Sequence, residues 1–593
     1  MSIIHEDIRK WLSSSGVLYR VGKPVRYIGR ELNSTIKDFH CKLRVLLAFP
    51  DTYEVGMSHL GLKLLYRELN GNSAIFAERT YLPWIDMIEE MKRSNIPLFS
   101  LETLSPARDF HVIGITLQYE LVYTNVLALL DLAGIPILRK NRSDEPLVIG
   151  GGPCASNPEP MSDFFDAFVI GDGEVVMQSI CEIVKENINM LVSGNREELL
   201  EIISSLQGVY VPALSKRKVV KSVISSISDL EIDRRPVVPF MKVVHDRSII
   251  EVMRGCNRGC RFCQAGMLYR PVRERSPEGI LESVEEILHN TGYEEVSLLS
   301  LSTMDYSRIE ELTDRIMPIL ELQKVALSLP SSRIDAFGVQ VASKIASIRK
   351  TGLTFAPEAG TQRLRNVINK NVTERDLLDS ARVARENGWQ RLKLYFMMGL
   401  PTETDEDIEA IVKLGRKVKA IGFKELSISV ALFIPKPHTP FQFARQIDEK
   451  EARRKAEMLR TICGRGIQLK VHNSSSSKIE GVLSRGDRSL GEAIYEAYKM
   501  GAIFDEWEEQ FNPVIWEKAF SATGIEPEIY SRGYGLSEEL PWEVVDTGVS
   551  KTYLIDEYLR AMKEKTTPDC RWNGCTGCCV CQTLQVSNRV YRV

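Results

Sequence analysis

A chain of 593 residues has room for three or more domains at roughly 100–200 residues each. Its 44% hydrophobic and 26% charged content is that of an ordinary globular protein, and a formal net charge of −3 gives no global pull toward nucleic acid or an anionic membrane. No apolar run reaches the roughly 18 residues that suggest a membrane span. The first ten residues lack the basic and apolar regions of a secretory leader, so a cytoplasmic protein without a membrane partner is expected.

Residues 1–40 read as a helical extension. Strand candidates at 43–49, 74–78, 112–117, 146–150 and 166–170 alternate with helical patterns such as Leu60–Asn70, Trp84–Ser94 and Tyr123–Ala133. That alternation predicts a doubly wound parallel sheet over 41–190, with its ligand beyond the carboxyl ends of the strands. Residues 191–240 are a connecting segment with short β-like runs at Gly208–Pro212 and Val219–Ile224. Strands are expected again near 248–253, 295–300, 325–329, 352–356, 392–397, 427–433 and 467–471, and helices near 277–289, 307–321, 337–347, 361–368, 374–387, 404–419 and 447–463. So many β/α units over 241–475 close into a full or partial barrel. Residues 476–565 read as mainly helical, anchored by Trp507, Trp516 and Trp542, and 566–593 form a cysteine-rich tail.

The 12 cysteines are clustered, which in a reducing compartment marks metal or cluster ligands rather than a disulfide framework. Cys41, Cys154, Cys181 and Cys463 are scattered and read as packed thiols. Cys256, Cys260 and Cys263 follow the apolar run Ile249–Met253 in the order Cys-x3-Cys-x2-Cys. Three thiolates on one short loop can hold three corners of a 4Fe–4S cubane and leave the fourth iron open. The competing reading is a zinc site completed by a distant ligand. In the tail, Cys570, Cys575, Cys578, Cys579 and Cys581 offer five thiols in twelve positions, and Cys570, Cys575, Cys578 and Cys581 are the expected ligands. A zinc knuckle is placed slightly ahead of an auxiliary iron–sulfur cluster, because nothing in the sequence demands redox work there.

The loop spacing resembles the signature of the radical S-adenosylmethionine (SAM) superfamily, in which the open iron chelates SAM. Gly150-Gly151-Gly152-Pro153-Cys154 and Gly171-Asp172-Gly173-Glu174, each after a strand, resemble the cobalamin-binding domain of cobalamin-dependent radical SAM enzymes, and Pro50–Gly61 looks like that domain's first loop. The resemblance covers nearly the whole chain. It implies an α/β protein with an N-terminal Rossmann-like cobalamin-binding domain, a radical SAM barrel and a mainly helical C-terminal region with a cysteine knuckle. It implies cobalamin contacts from Asp51, Gly151, Gly152, Pro153, Gly171, Gly173 and Glu174. It also implies SAM contacts from Ser300, Ser302, Arg333, Glu358 and Arg363. The family's Asp-x-His-x-x-Gly cobalt-ligand motif is missing around His59, so His59 is read as a helix-start residue and not a cobalt ligand. Lys393 and Tyr395, two apart on one strand, share a face; that face is read either as a barrel site or as an outward surface with Lys393 snorkelling. No residue is assigned a catalytic role.

The expected activity is reductive cleavage of SAM to a 5′-deoxyadenosyl radical, followed by methylation of an unactivated carbon. The alternatives are a radical rearrangement or cyclisation, and an iron–sulfur redox-sensing or assembly protein. The substrate is left open among RNA, a peptide and a small molecule, and an electron donor such as flavodoxin or ferredoxin is implied.

Overall fold

The computed structural model describes residues 3–37, 43–214, 218–329, 334 and 353–591. The expected helix at 337–347, Cys41 and Arg333 lie outside the described residues.

Five parallel strands build the first sheet: β1 (Leu43–Phe49), β2 (Ile75–Tyr81), β3 (Val112–Thr116), β4 (Leu147–Gly151) and β5 (Ala167–Val169). β6 (Val209–Tyr210), in the segment read as a connector, pairs antiparallel with β5. The order is β2-β1-β3-β4-β5-β6. The chain reverses its winding between β1 and β3, which is where an open α/β sheet offers a crevice. Both faces are covered, as near-continuous apolar strands require. On one face Leu43, Val45 and Leu47 pack with helices Leu60–Gly71 and Gly173–Glu186. On the other, Leu46, Ala48 and Phe168 share a core with helix Tyr123–Leu132, the N-terminal helix, and Trp516 and Phe520 from the C-terminal region. The C-terminal helices are therefore part of the first domain's core.

Seven further parallel strands follow: β7 (Ser248–Glu251), β8 (Glu295–Leu299), β9 (Ala326–Ser328), β10 (Leu353–Glu358), β11 (Arg391–Met398), β12 (Glu425–Leu432) and β13 (Gln468–Val471). Among the described residues they form a three-stranded sheet, β9-β8-β7, and a four-stranded sheet, β10-β11-β12-β13. Helices between them bury Leu392, Leu394 and Phe396 from one side. Lys393 and Tyr395 therefore face the inside of the arc, where the Lys393 ammonium lies 4.5 Å from the Tyr395 ring centroid. Helix boundaries follow local chemistry: Thr404 and Asp407 close a reciprocal capping box before Asp405–Lys419.

Candidate active site between the two sheets

A cavity of about 550 Å³ lies between the carboxyl ends of the first sheet and the first strands of the second. The first sheet supplies Gly114, Gly151, Gly152, Gly171 and Gly173. The second supplies Ile249, Glu251, Leu299, Ser300 and the run Met253-Arg254-Gly255 that leads into the cysteine loop.

Charge is concentrated where the walls meet. Arg254 donates to Asp172 at 3.0 Å, to Glu174 at 2.7 Å and to Glu251 at 2.8 Å. Arg273 also bonds Asp172. Burial disfavours the Asp172 carboxylate, but Arg254 and Arg273 beside it hold it well below the usual carboxylate range. A buried guanidinium matched by several carboxylates remains charged and fixes geometry.

Cys256, Cys260 and Cys263 occupy the loop directly after Arg254-Gly255. Burial, with Cys260 and Cys256 beside it, pushes the Cys263 thiol up to about 12. Three half-buried thiols on one short loop, which iron would hold as thiolates, fit an iron–sulfur cluster. The Gly266 N–H donates to Cys263 Sγ at 3.3 Å, a contact that also stabilises ligand sulfur. Among the described residues no three thiol, imidazole or carboxylate groups converge on the position of one ion.

Glu358 ends β10 with φ +67°, a left-handed value that costs a side-chain residue energy, and pairs with Lys370 at 3.1 Å. Asn369, the residue before Lys370, donates to the Gly259 carbonyl at 3.0 Å, so this pair stands beside the loop. Ser300 lines the cavity and its hydroxyl meets Thr303 Oγ1 at 3.1 Å. Ser302 does not line it: its hydroxyl donates to Asp305 at 2.6 Å, beneath the loop. Arg363 is likewise placed elsewhere. Its guanidinium is bonded to Asp407, the Thr402 carbonyl at 2.9 Å and Glu564 at 3.3 Å, where it ties the barrel helix to the end of the C-terminal helical region.

In the first domain, Gly151, Gly152, Gly171, Gly173 and Glu174 line the cavity, with Glu174 turned to Arg254. Pro153 opens the short turn behind Gly152. Asp51 sits away from the cavity, accepting from Thr52 N at 2.5 Å and Trp507 Nε1 at 3.1 Å. His59 lines the cavity and caps helix Leu60–Gly71, its Nδ1 accepting the Leu62 N–H at 3.1 Å. Burial holds its pKa down to about 4, so the ring is neutral, and with Nδ1 accepting from Leu62 its proton sits on Nε2. Neither ring nitrogen offers a free lone pair.

The tail returns to the loop. Cys578 is buried, Cys575 and Cys581 are exposed, and Cys570 accepts a contact from Asn588 Nδ2 at 3.7 Å. Sequence reasoning missed Arg254, Arg270 and Asn588 as partners. Arg254 carried a local signal, its place directly before Gly255-Cys256; Asn588 carried none.

A β/α arc with a three-thiol loop at its first strand end, joined to a doubly wound domain across a shared cavity, defines a two-domain cofactor-dependent enzyme. Family models agree: "Radical SAM proteins, N-terminal" matches residues 61–212 and "Radical SAM superfamily" matches residues 250–415. An uncharacterized protein of Methanocaldococcus jannaschii is 30% identical over 487 residues, 80% of this chain and 98% of the relative. An uncharacterized methyltransferase of Pyrococcus horikoshii is 23% identical over 54% of this chain and 67% of its own length. Among solved structures, the radical SAM methyltransferase TsrM of Kitasatospora setae, with cobalamin and a [4Fe–4S] cluster bound, is 16% identical, with a TM-score of 0.47 over 68% of this chain and 77% of that chain. The chain belongs to the radical SAM superfamily and is a radical SAM enzyme. Among the described residues no helix is long and apolar enough to cross a membrane.

Proposed function

We propose that this enzyme methylates an unactivated carbon using SAM and a corrinoid held in the inter-sheet cavity. The observation that carries the reading is the cavity itself: about 550 Å³, with glycine backbone at the strand ends of one domain facing the approach to the cysteine loop of the other. Glycine at those ends lets a flat, large ligand lie against the backbone. Cys256, Cys260 and Cys263 would hold the cluster, and Glu358 and Ser300 would contact SAM. When bound, the cluster and SAM supply a carbon radical and the corrinoid supplies a transferable methyl group.

The protein's own work is positioning and exclusion of water. Arg254 locks the corrinoid side to the cluster side. His59 is committed to the helix cap, so a corrinoid held in this cavity would not take its imidazole as a ligand. The electron donor is a low-potential protein of the flavodoxin or ferredoxin class.

The test is anaerobic incubation of the reconstituted protein with reductant, SAM carrying a labelled methyl group, methylcobalamin and cell extract. Labelled product with both 5′-deoxyadenosine and S-adenosylhomocysteine supports methylation. Formation of 5′-deoxyadenosine with corrinoid bound but no label transferred assigns a rearrangement instead. A protein that takes up no corrinoid overturns the proposal.

A further inference from the structure

We propose that a side chamber beside the inter-sheet cavity is an oxyanion subsite, which takes a phosphate group of the molecule lying in that cavity; the inference rests on the reading of the cavity as the seat of a large ligand.

The chamber has a volume of about 40 Å³ and shares walls with the cavity, since Leu60, Leu64, Arg247, Ile249 and Glu251 line both spaces. Its remaining wall brings together three segments that are distant in sequence. Lys63 comes from the first turn of helix Leu60–Gly71, Ser248 from the start of β7, and Tyr293 from the end of helix Pro277–Thr291. Such a volume holds about three water-sized atoms, the scale of the free oxygens of one phosphate group.

The polar groups of this wall lack partners. The hydroxyls of Ser248 and Tyr293 are buried and meet no hydrogen-bond partner, and neither does Arg247 Nε. Ser248 is 2% exposed. Folded proteins leave few buried polar atoms unpaired, so three around one small space mark it as a place to be filled. Among the described residues the Lys63 ammonium has no carboxylate within ion-pair distance. Asp233 and Asp246 act on it from farther off, and burial, with the charge of Arg79, pushes its pKa down to about 8. A cation in that position gains from an anion brought to it.

The carboxylates nearby are already engaged. Glu251 holds Arg254 at 2.8 Å, Glu295 holds Arg247 at 2.8 Å, and Glu231 holds Arg67. Asp233 accepts the Arg235 N–H at 3.1 Å. Arg275 adds a second cation to the wall, donating to the Leu230 carbonyl at 2.7 Å and the Glu251 carbonyl at 3.2 Å.

The donor set selects the ligand. Lysine and arginine nitrogens only donate, and each hydroxyl is able to donate. Donors with surplus positive charge suit a charged group that only accepts. They also come from separate segments, and a tetrahedral phosphate presents oxygens out of one plane where a carboxylate does not. Two sources carry that chemistry. A complete corrinoid has one phosphodiester in the arm that joins its ring to the nucleotide base, and a phosphorylated substrate has its own.

The experiment uses full-length protein reconstituted anaerobically with iron and sulfide. It is titrated with cobinamide and with cobinamide phosphate, which share the corrin ring and differ by one phosphate. The wild type should bind the phosphate form about tenfold or more tightly, followed by visible absorbance. Lys63→Met should bring the two affinities together, and Lys63→Arg, which keeps the charge, should preserve most of the preference. If Lys63→Met does not fold, Tyr293→Phe replaces it and should narrow the preference about threefold. Where the wild type binds both corrinoids equally, inorganic phosphate separates the sources: calorimetric binding of phosphate with cobinamide present, lost in the Lys63 or Tyr293 variant, assigns the chamber to a phosphorylated substrate. Equal corrinoid affinities with no phosphate binding, or a preference that survives the variants intact, overturns the subsite and leaves the chamber to water. A wild type that binds neither corrinoid yet still binds phosphate would instead count against the corrinoid reading of the main cavity.

Discussion

The Arg254 guanidinium donates to Glu174 at 2.7 Å, and this contact joins the residue before the cysteine loop to the first turn of a helix 80 positions earlier. Glu174 follows Gly173 at the cavity wall, and Arg254 precedes Gly255 and Cys256. One buried ion pair thus sets the distance between the two walls of the cavity. Asp172 and Glu251 complete the ring of carboxylates around the same cation.

Arg254→Met should leave those carboxylates buried without their cation. Breaking a buried pair by removing one partner costs about 3–5 kcal/mol. The variant should show a lower urea midpoint and little corrinoid uptake, read by visible absorbance. Arg254→Lys should recover part of the stability and less of the uptake, because an ammonium cannot match three carboxylates in a fixed fork. Wild-type uptake in the Met variant would show that the ring does not shape the cavity.

Two glycines separate folding from binding. A Cβ on Gly171, at φ +103°, would meet the Ser222 carbonyl oxygen at 2.1 Å, so Gly171→Ala should destabilise the domain itself. A Cβ on Gly151 meets nothing nearer than the Val169 oxygen at 3.9 Å. Gly151→Val should therefore fold with a near-normal melting temperature and lose corrinoid by steric block. Equal corrinoid binding by Gly151→Val and wild type would remove this wall from the site.

Much of this arrangement was legible in the sequence. Apolar runs such as Val45-Leu46-Leu47 placed the strands to within a few residues, because a parallel strand covered on both faces cannot hide its composition. The glycine turns and the loop cysteines also announced themselves, since each needs a particular residue at a particular spacing. Direction did not. Arg363 follows a strand end as a SAM ligand would, yet Asp407, 44 residues on, takes its guanidinium. Ser302 reads as a strand-end hydroxyl, and Asp305 takes it. Long-range partners such as Asn588 for Asn257 leave no local pattern at all.

Glu358 should report on SAM alone. Its left-handed backbone and its Lys370 partner hold the carboxylate beside the cysteine loop. Glu358→Gln should retain the cluster's iron while SAM affinity, followed by the change in the cluster's paramagnetic resonance signal, falls about tenfold. Unchanged affinity would assign the strained turn to folding.

His59→Ala should leave the corrinoid spectrum and affinity nearly unchanged. The loss should appear in stability, about 1 kcal/mol for a missing helix cap, and His59→Asn should restore it. A clear shift in the cobalt absorption bands of the Ala variant would mean that the ring leaves its cap and binds the metal.

The last expectation concerns pH. Asp505 is buried between Thr124 Oγ1 and Trp516 Nε1, each donating at 3.2 Å, and burial pushes its carboxyl up to about 7 against those two bonds. Glu506 beside it, near Asp51, is also raised by burial and by the neighbouring carboxylate. An unfolded aspartate releases its proton at about 3.9. Between about pH 4 and 7 the folded chain therefore holds a proton that the unfolded chain has lost. In that window stability must fall as pH rises, and the fall ends once Asp505 ionises in the fold. Asp505→Asn keeps an acceptor for Thr124 and Trp516 and carries no titrating proton. Its urea midpoint should decline less than that of wild type between pH 5 and pH 8, a difference of a few kcal/mol at most. Parallel pH profiles for the two proteins would show that Asp505 ionises in the fold as freely as in the unfolded chain.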